Sequence, residues 1–247
     1  MKTRMGMMAV VLWGLAAMLL AEGTPGVPAN REDEFCQAVS AGRETDVATM
    51  LATDPEMAWA KDKRGISALM LAVYRDRAAV VHLILAQRRD DLSVFEAAAL
   101  GRDDVLQVLL RRDPGQAGEF GPDGFTALHL ASYFGQTRSQ ELLIRAGADI
   151  NAYSRNKFHA APLQSAAAAR QLEAARVLLA HGADPNCHGE EGYTPLHEAA
   201  ATGQVSLVRL LLRYKADATA QGDDGKTPWD LAAHQPAVRD LLGKEIK

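Results

Sequence analysis

Four residues in a short run, His181, Asp184, Cys187 and His188, are of types that can ligate a metal ion. Zinc sites usually draw their ligands from two paired spacings, C-x2–4-C with H-x3–5-H. This run has one cysteine and no second pair. His181 suits a helix C-terminus, where a cation meets the negative end of the dipole. No metal is expected here. A second candidate is GFTALHLASYFGQ at 124–136, which brings together Thr126, His129 and Tyr133. A catalytic histidine needs a nucleophile and an orienting partner within hydrogen-bond reach, and nothing beside His129 completes such a triad. G-x-S-x-G, H-E-x-x-H, P-loop and G-x-G-x-x-G motifs are absent from the sequence. Asp103 and Asp104 read as the acidic first turn of a helix. No enzymatic activity, catalytic residue or cofactor is expected.

The bulk composition agrees with that reading. Of 247 residues, 48% are hydrophobic but only 6% aromatic, and alanine is abundant, which favours closely packed small-residue helices. The net charge of −4 and the lack of a Lys/Arg cluster argue against a nucleic-acid partner. Arg88-Arg89 and Arg111-Arg112, the densest basic spots, are read as helix C-termini. Lys2 and Arg4 precede an uncharged apolar run, Met7–Leu20, too short for the ~20 residues of a membrane span and fitting a secretory leader. Segment 1–23 (cleavage after Ala29 being the other reading) is therefore expected to be a signal peptide and 24–31 a linker. The mature chain would hold no membrane span and work in the periplasm or be secreted.

What positions these side chains is a repeat. GYTPLHEAAATGQ at 192–204 matches the 124–136 segment in register, pairing Thr126 with Thr194, His129 with His197 and Gly135 with Gly203. GKTPWDLAAHQP at 225–236 is a third copy, and APLQSAAAARQ and GISALMLAVYRD are weaker ones. The anchor positions are Gly42, Asp76, Gly101, Gly135, Arg170, Gly203 and Pro236, separated by 34, 25, 34, 35, 33 and 33 residues. An apolar helical segment follows most anchors, and turns such as RAGADINA and AHGADPNC end it. Two helices and a turn every ~33 residues, with T-P-L-H-x-A, are the ankyrin signature. The chain thus resembles ankyrin-repeat proteins over about 32–243.

The resemblance implies an all-α solenoid of about seven helix-turn-helix units with short β-hairpin tips. The units fall at about 32–63, 64–89, 90–121, 122–156, 157–189, 190–222 and 223–247, within a single repeat domain at 32–247. Thr126, Thr194 and Thr227 sit where N-caps belong. Pro195 and Pro228 fit the first helical turn. Gly135, Gly203, Gly147 and Gly182 fit positive-φ sites. The motif histidine of the family bridges to neighbouring backbone, a role implied for His129 and His197. The anchors place Cys36, Met70, Phe95, Gln164 and Asp230 at the same position in other units. The short 25-residue step implies that the third unit has lost its hairpin, with RRDDLS at 88–93 joining helix to helix. Cys36 and Cys187 lie four units apart and are expected to be free, with Cys187 the one able to meet another chain.

Family members bind proteins through the concave face formed by hairpin tips and inner helices. In that frame the positions facing a partner include Tyr74, Arg75, Ile66, Ala99, Phe120, Phe125, Tyr133, Phe134, Phe158 and Tyr193. Aromatics with arginine are common interface hot spots. The expected function is an exported, monomeric, non-enzymatic scaffold that binds another protein there, a version of which is a secreted effector acting on a host protein. The rival from another class is a metal protein or enzyme using His181–His188.

Overall fold

A computed structural model describes residues 30–245; the expected leader lies outside the described residues. Within them the chain is helical, without a sheet, and the helices come in pairs. The pairs are α1 (Arg31–Ala41) and α2 (Glu44–Thr53), α3 (Ala68–Tyr74) and α4 (Ala78–Arg88), and α5 (Val94–Leu100) and α6 (Asp103–Arg112). They continue with α7 (Ala127–Tyr133) and α8 (Thr137–Arg145), α9 (Pro162–Ala168) and α10 (Leu172–Ala180), α11 (Pro195–Ala201) and α12 (Val205–Arg213), and α13 (Pro228–Leu231) and α14 (Pro236–Glu245). Contacts divide the chain into two compact bodies, one through Ala97 and one from Ala98 onward. In the first body α1 packs on α2 and α3, and α3 on α4. In the second, α7, α9, α11 and α13 pack successively as an inner row, with α6, α8, α10, α12 and α14 as the outer row.

Ala127, Ala131, Ala166, Ala167, Ala199 and Ala200 are fully buried, and their small side chains let adjacent inner helices approach closely. Outer helices supply the bulk: Leu143, Leu178, Leu207 and Leu211 are sealed from solvent. Thr126 and Thr227 cap α7 and α13, accepting from the His129 and Asp230 N–H groups, and Pro195 and Pro228 take the first helical position. Gly135 shows why glycine is needed between the rows. Its φ is +73°, and an added Cβ would stand 2.6 Å from the Gln171 side chain of the next repeat. Lys215 stands in the corresponding place to Gly182, at φ +65°, with the strain a side chain brings there.

Four tips are closed by an N–H bonding to a carbonyl four residues on: Asp62 to Ile66, Gly121 to Phe125, Gly189 to Tyr193 and Gly222 to Lys226. The fifth repeat departs from this, because Ser154 N–H reaches Ala160 C=O, six residues on, at 2.9 Å. The 35-residue step in the sequence is that insertion. The third repeat has no tip, as the 25-residue step implied, and α4 passes to α5 through 89–93.

The join corrects one expectation and sharpens another. Arg88 ends α4, as expected of a helix C-terminus, but it is buried there. Its side chain is 6% exposed and forks onto Glu96, itself 3% exposed, at 2.7 Å. Its Nε and Nη2 also donate to Asp91 C=O. Glu96, rather than Phe95, takes the motif-histidine position. Its carboxylate accepts from Ser93 N–H and Oγ and from Ser67 Oγ, the α3 cap. Helix α5 has one residue fewer between this position and its glycine, so counting back from Gly101 landed on Phe95. Burial works against Glu96 ionising, but the Arg88 fork and the serine hydrogen bonds outweigh it and hold the carboxyl below its ordinary value.

Candidate protein-interaction surface

The motif histidines tie each repeat to the next. His129 Nδ1 lies 3.2 Å from Thr126 N–H, a donor, so Nδ1 must be the acceptor and the proton sits on Nε2. That Nε2–H donates to Ala160 C=O at 2.8 Å, in the following tip. His197 repeats the arrangement between Thr194 N–H and Lys226 C=O. Gln164 does the same with its amide, accepting from Ala161 N–H and donating to Tyr193 C=O. Asp230 keeps only the accepting half, from Thr227 N–H. Burial holds His129 neutral, with its pKa pulled down to about 4, and pulls His197 down as well.

The candidate metal run does not converge. Cys187 is buried, whereas His181, Asp184 and His188 are exposed. His181 Nδ1 faces Val177 C=O and Asp184 accepts from Asn186 N–H. Among the described residues no three His, Cys, Asp or Glu side chains are grouped to hold a metal. Both cysteines are free thiols. The idea that Cys187 meets another chain fails on its 2% exposure, and burial pushes the thiol upward away from thiolate. Burial likewise lifts Cys36 to about 12.

The predicted aromatic set separates into three kinds. Phe125 leaves it: only 1% exposed, it packs against His129 and stacks on Phe158 at 6.4 Å. The lengthened tip of the fifth repeat brings Phe158 over this ring, whereas Tyr193, in the register of Phe125 two tips on, stays half-buried with its hydroxyl on Asp224. Ile66 and Ala99 are buried too. Tyr74 and Arg75 are half-buried at the end of α3, in the first body. Phe120, Tyr133, Phe134, Phe158 and Tyr193 remain partly accessible, and all belong to the second body. Tyr133 and Phe134 meet edge-on at 5.2 Å, at the end of α7.

The sequence reading missed Glu198 on α11. Its Oε2 is shut off from water and has no hydrogen-bond partner, and burial raises the carboxyl to about 8. Ionising it in the fold is unfavourable, so the folded state holds its proton more tightly than the unfolded chain. Its contribution to stability is complete below pH 4.5 and drains away as pH rises towards 8. His129 has the opposite sign: stability from keeping it neutral is lost as pH falls from 6.5 towards 4. Between about pH 4.5 and 6.5 the two slopes oppose each other, so the melting temperature is expected to hold roughly level there and to fall above pH 6.5. Partial solvent access screens the carboxylate, so the fall from pH 6.5 to 8.5 should be about 1–2 kcal/mol. Thermal melts of Glu198→Gln are expected to lose that alkaline fall and uncover the acid one; an unchanged alkaline limb would clear Glu198 of the effect.

Comparison with known proteins bears directly on this geometry. The model of the family described as ankyrin repeats matches three overlapping stretches, 35–154, 94–189 and 163–247. The chain belongs to the ankyrin-repeat family. Its members are typically non-enzymatic and mediate protein interactions. Human BCL-6 corepressor-like protein 1 is 30% identical over 112 residues, which is 45% of this chain and 6% of that protein. The chain therefore matches only a small part of this relative's length. Among the described residues no helix is long and apolar enough to cross a membrane.

Proposed function

We propose that this chain is an exported, monomeric, non-enzymatic scaffold that binds another protein through the inner-helix and tip residues of its second body. The observation that carries the reading is Tyr133 with Phe134. The repeat needs neither, since Ala168-Ala169 and Ala201-Thr202 occupy the aligned places in later repeats, yet both aromatics remain partly accessible. Phe120, Phe158 and Tyr193 extend the same chemistry along the tips. Aromatic side chains on a rigid support bind with little ordering cost. Tyr74 and Arg75 offer a second contact region on the first body. Export rests on the basic start and apolar run at Lys2–Leu20, and fractionation of cells expressing the full chain tests it through its appearance outside the cytoplasm.

The binding reading is tested by affinity capture from an envelope fraction with wild type and a Tyr133→Ala/Phe134→Ala variant. The variant is expected to keep its fold and lose captured protein at least tenfold. Equal recovery of the same proteins by a folded variant would remove these two residues from the interface.

A further inference from the structure

The fifth tip is built differently from its neighbours. Its two extra residues are held by Asn156, whose Oδ1 accepts from Phe158 N–H while its Nδ2 donates to Asp123 C=O of the previous tip. Ser154 Oγ accepts from Ala160 N–H, closing the base. On this rigid support stand two exposed cations, each over an aromatic face: Arg155 at 3.9 Å from the Phe120 ring centre and Lys157 at 5.1 Å from that of Phe158. Among the described residues neither has an acidic partner. The next tip is bonded directly to this one, Glu190 N–H donating to Phe158 C=O at 3.0 Å. It carries Glu190 and Glu191, both exposed and, among the described residues, without a cationic partner. Two unpaired cations and two unpaired anions thus sit on adjacent tips without neutralising one another.

Unpaired charges of opposite sign on a fixed support favour a ligand with the complementary order and repel one with uniform charge. A wholly acidic segment would meet Glu190 and Glu191; a wholly basic one would meet Arg155 and Lys157. Resting on the protein-binding reading above, we propose that the partner presents an extended segment with an acidic side chain against Arg155 and Lys157 and a basic one against Glu190 and Glu191. Stacked helices lie about 8–10 Å apart, and an extended chain advances about 3.3–3.6 Å per residue. The two charges of the segment are therefore about three residues apart. The aromatic faces hold Arg155 and Lys157 and strengthen the cationic end by excluding water from one side.

Panning a random 12-residue peptide library on the full chain tests this. Wild type is expected to enrich peptides with one acidic and one basic position about three apart, in a fixed order. The charge-reversed variant Arg155→Glu/Lys157→Glu/Glu190→Lys/Glu191→Lys, checked for an unchanged melting temperature, is expected to enrich the opposite order. Selected wild-type peptides should bind the variant at least tenfold more weakly. Enrichment with no charge pattern, or the same order from both proteins, overturns the proposal. If such patternless peptides still depend on Tyr133 and Phe134, the binding face survives and only the charge assignment fails. If neither protein enriches any peptide, both readings fall.

Discussion

Replacing Arg88 by alanine is expected to destabilise the first body by about 3–5 kcal/mol, because it strands a buried carboxylate. Glu96 would keep its serine contacts but lose both ends of the fork that offsets its desolvation. Its carboxyl would then take up a proton in the fold more readily, adding a loss of stability with rising pH that Glu96 does not contribute in the wild type. The Arg88→Met/Glu96→Leu double variant should lie within about 1 kcal/mol of wild type, since apolar replacement of a buried pair is often neutral. Urea denaturation reads both variants, with Trp59 as the local reporter: its Nε1 donates to Asp91 at 2.6 Å, next to the Arg88 anchor. If the single variant costs no more than the double, the pair is not what fastens the repeat that has lost its tip.

The second large effect lies at His129. His129→Ala leaves the Thr126 N–H without its acceptor, takes one of its two donors from the Ala160 carbonyl and opens a cavity beside Phe125. About 3 kcal/mol should be lost, lowering the melting temperature by about 6–12 °C for a chain of this size. His129→Gln is expected to recover most of it, because Gln164 already performs both hydrogen bonds one repeat later with an amide. Calorimetric melts of the two variants check this. A glutamine variant as unstable as the alanine one would show that the imidazole's shape, and not the bridge, matters.

The repeat, its caps and the missing third tip were legible in the sequence because each leaves a local mark: a period, a T-P pair, a short step. The bridging role of Gln164 was visible only as a position, since which carbonyl it reaches depends on the next tip. Glu96 was mislocated although its mark was present. Ser93-Val94-Phe95-Glu96 is a capping box, and counting from that serine gives the right register where counting from the glycine does not. Phe125 was misjudged because its burial depends on the two residues inserted thirty positions later. Glu198 left no mark at all, because T-P-L-H-E-A-A reads equally well with that glutamate in water. The aromatic face was half legible: residue types mark the candidates, but only neighbouring tips decide which rings stay accessible.

The central claim is that the aromatic face of the second body holds a protein partner. Its most direct test is the dissociation constant of a captured partner for wild type and for Tyr133→Ala/Phe134→Ala, with melting temperature measured on the same samples. The account predicts at least a tenfold weaker complex with a melt within about 3 °C of wild type. A complex of unchanged affinity in a folded variant would contradict it.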